Sequence, residues 1–157
     1  MTNDILFQNV RGLTDLKLKT TEKTLSRRGL GIICLVDTQH NLSKQSRHVK
    51  TLKKCWGGKE MSVISSPNRN AQPPSGSKVG GCAVFVKEGL HQRVCKPYHD
   101  LRGWGRYAGV VLSGTHKTKL CILNIYGPAN GSALYKVQQD LLHPPDPNSH
   151  GRYGSVS

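Results

Sequence analysis

No run of about 20 apolar residues occurs in the chain, which excludes a membrane-spanning helix, and the N-terminus is too polar for a secretory signal. A long basic amphipathic helix is also missing, so a membrane surface is a poor partner. There is no Cys-x-x-Cys and no Cys/His cluster at zinc spacing. Cys34, Cys55, Cys82, Cys95 and Cys121 are widely spaced and odd in number, and they read as reduced, mostly buried thiols. The expected setting is intracellular, nuclear or cytoplasmic, and not secreted. Acid is scarce: nine Asp and Glu stand against 23 Lys and Arg, a formal net charge of +14. That excess favours polyanions through counterion release, an attraction that ignores sequence and weakens with salt. It points to nucleic acid, the plain alternative being a basic soluble protein with no special partner. No motif that reads base edges accompanies the charge, and no internal repeat is visible. What the 157 residues do supply is enough chain for one domain, which at this size buries roughly 70% of its unfolded surface.

Residues 5 to 10 read as a strand closed by a turn at Gly12. Thr14 can cap a helix from Leu16 to Arg28 that Gly29 ends. Ile32 to Val36 is an apolar run too short for a helix, typical of a strand buried on both faces. Ser43 is the N-cap read for a second helix. Its Val49, Leu52 and Trp56 share an apolar face while Lys44, Arg47, Lys50, Lys53 and Lys54 take the other positions. Met61 to Ser65 suggest a strand, and Ser66 to Gly81 a mobile loop rich in Pro, Gly, Ser and Asn. Further strands are expected at Cys82 to Lys87, Tyr107 to Ser113 and Lys119 to Tyr126, with a weaker one at Gln92 to Cys95. Gly114 to Lys117 joins two of them as a hairpin. Ser132 starts a short helix carrying Leu134, Val137, Leu141 and Leu142, and residues 143–157 read as a disordered tail. This irregular order argues for a mixed α/β layered fold rather than a doubly wound parallel sheet.

Polar residues end three of the apolar strands: Asn9, Asp37, and Asn124 with Tyr126. Strand ends are rigid platforms, and a carboxylate held there beside a neutral amide suits Mg²⁺, which prefers oxygen ligands and keeps several waters. Taken singly, Asp37 with Thr38 equally suits a turn or helix cap, and Asn9 a turn before Gly12.

Five blocks follow in order: Gln8-Asn9-Val10-Arg11-Gly12-Leu13, Leu35-Val36-Asp37-Thr38-Gln39, Gly80-Gly81-Cys82-Ala83-Val84-Phe85, Gly105-Arg106-Tyr107, and Leu123-Asn124-Ile125-Tyr126-Gly127-Pro128. Their succession resembles the endonuclease/exonuclease/phosphatase superfamily, in the flavour of the apurinic-like endonuclease domain of LINE-type retrotransposons. The resemblance runs from Ile5 to Leu142. It implies an α/β fold with a mostly antiparallel or mixed sheet, half of a four-layer α/β/β/α sandwich. Residues 1–142 would form a truncated domain ahead of the tail. The inner face of its sheet would be left exposed, since the family's later half builds most of the second sheet.

By the same resemblance, Asn9 matches the amide that orders the metal site, and Asp37 stands where the family usually carries its metal-binding Glu. Tyr126 matches the active-site tyrosine beside the scissile phosphate. Asn130 approximates the amide that follows, one residue further on than usual. Gly80, Gly81, Arg106 and Tyr107 match blocks that look structural. The cofactor implied is Mg²⁺ or Mn²⁺, weakly held, because Asp is one methylene shorter than Glu and Mg²⁺ tolerates little error in its octahedron. The family's Gly-Asp-x-Asn block and its terminal Asp-His pair have no counterpart after Leu142. The implied function is therefore that of a remnant or fragment of a metal-dependent DNA endonuclease. The alternative is a catalytically silent, basic nucleic-acid-binding protein. The partners expected are DNA, with RNA as the other polymer, and a complementary C-terminal half or another retroelement protein. Arg47, Lys50, Lys53, Lys54, Arg69 and Lys78 are the residues expected to contact phosphates in either case.

Overall fold

A computed structural model of the chain describes residues 4–25, 29–69 and 80–127. Among the described residues seven strands form two sheets. The first sheet holds β1 (Asp4–Asn9), β2 (Leu30–Val36), β4 (Cys82–Val86) and β3 (Ser62–Ser66) in the order β1-β2-β4-β3. Its β1–β2 pair is parallel and its other two pairs are antiparallel. The second sheet is antiparallel, in the order β5 (Val94–His99), β6 (Tyr107–Ser113), β7 (Lys119–Ile125). Three helices accompany them: α1 (Asp15–Leu25), α2 (Arg47–Leu52) and a single turn, α3 (Glu88–His91). The class is thus mixed α/β.

The centre of the first sheet is apolar on both faces, as the run from Ile32 to Val36 implies. Alternation along β2 and β4 sends Ile33, Leu35, Ala83 and Phe85 to one side, where Leu18 and Leu25 of α1 and Val49 and Leu52 of α2 meet them. Ile32, Cys34, Val84 and Val86 point the other way, against Ala108, Val110, Leu112 and Ile122 of the second sheet. The chain therefore covers the inner face of β2 and β4 with its own second sheet. The expectation of an exposed inner face fails over β2 and β4, because β5, β6 and β7 form a separate sheet that packs on them, and holds at β1, where Ile5 and Phe7 are exposed.

The helix ends show what side chains do at a terminus. Thr14 Oγ1 accepts a hydrogen bond from Lys17 N (3.2 Å), the cap read from the sequence. For α2 the cap is Ser46, whose Oγ accepts from Val49 N (3.3 Å). Ser43 instead supplies the carbonyl that accepts Ser46 N, one turn earlier. The helix then widens into a π-helical turn, Lys53–Gly57, that seats Trp56 in the core with its indole N–H on Leu30 O (3.1 Å).

The second sheet departs further from expectation. The weak strand near Cys95 is in fact longer, Val94–His99, and α3 precedes it. Only Cys34 and Cys82 are buried, Cys55 is half-buried, and Cys95 and Cys121 are exposed on the second sheet. Burial pushes the Cys34 and Cys82 thiols up to about 12. No helix of the described residues is long and apolar enough to cross a membrane. The expected helix after Ser132, the tail, Lys78, Asn130 and Arg28 lie outside the described residues.

Candidate phosphate site at the strand ends

Asn9 and Asp37 leave adjacent parallel strands. Asn9 pairs with Val36 in register, and Val10 N donates to Val36 O (3.0 Å). Beyond the strands the pairing continues through loops. Gly12 N and Leu13 N donate to Asp37 O and Thr38 O, while on the other side Thr38 N and Gln39 N donate to Gly81 O and Gly80 O. The segment 37–39 is clamped from both sides, and the clamp holds Asp37 and Gln39 at positive φ, 56° and 58°. Asp tolerates that left-handed conformation better than most residues, and Gln does not. Strain of this kind persists only where surrounding bonds over-determine it. Gly81 is required here, since a Cβ on it would lie 2.5 Å from Thr38 Oγ1.

The Asp37 carboxylate is buried. Its Oδ1 accepts from Gly80 N (2.8 Å) and from Gln39 Nε2 (3.3 Å), and Oδ2 takes no hydrogen bond among the described residues. Asn9 Oδ1 accepts from Arg11 N (3.1 Å), a local turn bond. Behind that turn, Lys17 Nζ donates to the carbonyls of Val10, Arg11 and Gly12 at 2.6, 3.0 and 2.8 Å. An ammonium has three donors, and this one spends all of them on the loop. Lys17 was not singled out in the sequence; a lysine in the first turn of α1 gives no hint of a partner loop before the helix.

The third strand end arrives from the other sheet. Asn124 is buried, and its Nδ2 donates to Leu35 O (2.8 Å) and Ala83 O (3.1 Å), pinning the end of β7 across the ends of β2 and β4. Tyr126 follows, half-buried, with its N–H on Arg106 O (2.7 Å) and the Arg106 guanidinium 5.4 Å from its ring centre. Arg106 is fixed in turn by Asp100, whose Oδ2 accepts Arg106 N (2.8 Å) and Oδ1 accepts Arg102 N (3.1 Å). Asp100 is a buried carboxylate that the sequence reading passed over. Its only signal was its place ahead of the Gly103 and Gly105 turn.

Beside the clamped segment opens a cavity of about 320 Å³, lined by Gln39, His40, Asn41, Pro67, Asn68, Arg69 and Gly80. Its lining is mostly polar, with amides, an imidazole and a guanidinium. Arg69 is the one anticipated phosphate contact found there, while Asn9, Asp37 and Tyr126 are not among the lining residues. Arg47, Lys50 and Lys54 stand exposed on α2 and the π-helical turn, and Arg47 is paired with Asp15 at 3.0 Å.

Among the described residues no group of three His, Cys, Asp or Glu side chains is gathered to hold a metal. The donor set fits a hard cation at a single point. Asp37 Oδ2 can serve as one carboxylate ligand, the remainder coming from water and substrate oxygens, a pattern Mg²⁺ accepts. Asn9, turned onto Arg11, would add at most a second oxygen. No protein-family model matches the chain, and none of the curated proteins matches it.

Proposed function

We propose that this chain is a fragment or remnant of a metal-dependent phosphodiesterase, in the manner of the endonuclease/exonuclease/phosphatase superfamily, which binds DNA through phosphates at its strand ends and does not cleave by itself. The observation that carries the reading is the clamp on residues 37–39. It holds a buried carboxylate under backbone strain between two strand ends, next to a polar cavity containing Arg69. Helices on one face of a mixed sheet and a second sheet on the other make three layers in the order of an α/β/β/α sandwich, which supports the likeness.

In this reading Arg69 and the amides of Gln39, Asn41 and Asn68 receive phosphate oxygens, and Arg106 keeps the Tyr126 ring beside the strand ends. A Mg²⁺ or Mn²⁺ held at Asp37 Oδ2 would supply charge stabilisation for those oxygens. His40 lines the cavity and the Asp37 carboxylate meets the Gln39 amide (3.3 Å), but in this reading neither replaces the family's Gly-Asp-x-Asn block and Asp-His pair, which orient the attacking water. That role falls to a complementary C-terminal half or another retroelement protein. The open flank at β1 and β7 supports such a partner, because Ile5, Phe7 and Leu120 are exposed there.

The second reading, a silent nucleic-acid-binding protein, is favoured by one bond pattern: Asp37 Oδ1 already serves Gly80 N and Gln39 Nε2 as an ordinary structural acceptor. RNA in place of DNA would suit the same phosphate chemistry. Titration of labelled duplex and single-stranded RNA at two salt concentrations tests the shared part. The expected result is binding with little sequence preference that weakens steeply with salt. An affinity indifferent to salt would defeat both readings. Calorimetry with Mg²⁺ or Mn²⁺ on the wild type and Asp37→Asn separates them: weak binding lost in the variant supports the phosphodiesterase reading, and equal heats support the silent one.

A further inference from the structure

We propose that the groove between β3 and β5 is a second phosphate subsite, which holds the backbone of the same nucleic acid about 20 Å from the strand-end cavity, with β3 as the rail between them. This rests on the nucleic-acid reading above and deepens it. The groove is a cavity of about 240 Å³ whose lining includes Lys44, Lys53, Lys59, Ser62, His91 and His99. These side chains come from the loop before α2, the π-helical turn, the turn before β3, β3 itself, α3 and β5. Their convergence is a product of the fold and not of one helix face, and charges focused into a cleft raise the local potential more than the same charges dispersed.

Several of these groups are already fixed. Lys53 Nζ donates to Lys59 O (3.1 Å), its one hydrogen bond among the described residues, and an ammonium has two further donors to offer a ligand. His91 Nδ1 and Ser62 Oγ share a hydrogen bond of 2.6 Å, and His99 Nδ1 donates to Ser65 O (3.2 Å). Pre-positioned side chains lose less entropy when a ligand arrives. Glu60 also lines the groove, and three lysines outweigh it.

Continuity along β3 ties the two cavities together. Ser62, Val63 and Ile64 line the groove, whereas Pro67, Asn68 and Arg69, which continue the same strand, line the strand-end cavity. Asn68 bridges to Trp104, so the chain stays extended past the end of β3. Ser62 to Asn68 then covers about 20 Å at about 3.3 Å per residue, a span over which one face of a duplex presents several phosphates. A phosphodiester backbone can occupy both cavities at once, and a free phosphate cannot.

The test compares the triple variant Lys44→Gln/Lys53→Gln/Lys59→Gln with a control, Lys96→Gln/Lys117→Gln/Lys119→Gln, which removes the same charge from the second sheet. Each is titrated with a long duplex and with a hairpin-closed duplex too short to span both cavities. The groove triple is expected to lose about tenfold in affinity for the long duplex at low salt, with its salt slope reduced by about three, and to bind the short one as the wild type does. Equal losses in the two triples would overturn the proposal. Failure of the wild type to bind any duplex would instead remove the reading beneath it. Lysine acetylation of the wild type needs no variant: the long duplex should protect Lys44, Lys53 and Lys59. Unprotected lysines, or the same protection by inorganic phosphate alone, would overturn the rail.

Discussion

Along one flank of the unit, β3 and β5 run side by side with lysines and histidines in the groove between them, Pro97 within β5 and a register break between Val94 and Lys96. Along the other, β7 lies over β2 while β1 reaches past it, and the residues facing outward are Ile5, Phe7 and Leu120, with Phe7 58% exposed. Among the described residues both flanks are sheet edges, with no further strand paired to β1, β3, β5 or β7. Charge, proline and bulges are the usual means of keeping such edges from pairing with another chain, and the β3–β5 flank has all three. The β1–β7 flank has a register break at Asp4/Ile5 and charges at Asp4 and Lys119 but no proline in either strand, and it leaves large apolar side chains exposed. Pairing explains why the β1–β7 flank is apolar. Ile5 and Phe7 stand opposite Ile32 and Cys34 in the parallel ladder, and Leu120 opposite Leu112, so all three belong to the layer between the sheets. They are core positions without their cover. The β3–β5 flank is built as a finished surface, and the β1–β7 flank as one to be covered.

The sharpest way to break this comparison is to truncate one aromatic side chain in each setting. Phe85 is fully buried against the helices, and Phe85→Ala is expected to cost about 3–5 kcal/mol. Phe7→Ala should stay within about 0.5 kcal/mol, as surface substitutions do. Urea unfolding of both variants reads the difference, and a large loss from Phe7→Ala would mean that its flank is already covered.

Next in size is the pin between the sheets. Asn124→Ala takes the donor from Leu35 O and Ala83 O together and is expected to cost about 2–4 kcal/mol by the same measurement. A loss below about 0.5 kcal/mol would show that these carbonyls find other donors and that Asn124 is no pin.

Much of the fold was legible in the residues, and the illegible parts have physical causes. β2, β4 and β6 announced themselves because strands buried on both faces read as unbroken apolar runs. Ser43 and Ser46 were harder to tell apart: each is a serine at turn spacing before the same apolar face, and the side-chain bond that chooses between them depends on backbone geometry. Asn124 was read as a strand-end polar group near the chemistry and turned out to hold two carbonyls of another sheet, a contact across 89 residues of chain. Asp37 was legible as a special position, but its bond to Gly80 N, 43 residues away, was not. The cavity residues His40, Asn41 and Asn68 were missed for the same reason, since each lies in a loop that only the pairing of β2, β3 and β4 brings together.

Smaller effects sharpen the picture. Phe7→Lys with Leu120→Lys should leave stability within about 1 kcal/mol and lower the self-association of the chain in light scattering, which the comparison of flanks requires. Unchanged association would show that the exposed apolar residues are not what pairs.

His48 supplies a pH test. Burial first, then the neighbouring His40 and Arg47, hold its imidazole below the ordinary value of 6.5 against the opposing pull of Asp15. The 3.6 Å contact with Asp15 is therefore made by a neutral ring at neutral pH. Since folding favours the neutral form, its contribution is fully present above 6.5 and is lost as pH falls through that value toward the lower folded one. His48→Gln should flatten the fall in melting temperature on acidification, and an unchanged slope would assign the acid sensitivity to other groups.

The central claim is that the strand-end site binds phosphate but lacks the group that makes the nucleophile. Nicking of supercoiled plasmid in Mg²⁺ tests it most directly, with the chain alone, the chain mixed with the C-terminal half of a LINE-type endonuclease domain, and Asp37→Asn in each setting. Asn keeps the left-handed backbone and an oxygen for Gly80 N while removing the charge, so the comparison reads chemistry and not folding. The account predicts no nicking by the chain alone above the Asp37→Asn background, and nicking restored by the complement only when Asp37 is intact. Robust nicking by the isolated wild type that disappears in Asp37→Asn would contradict it.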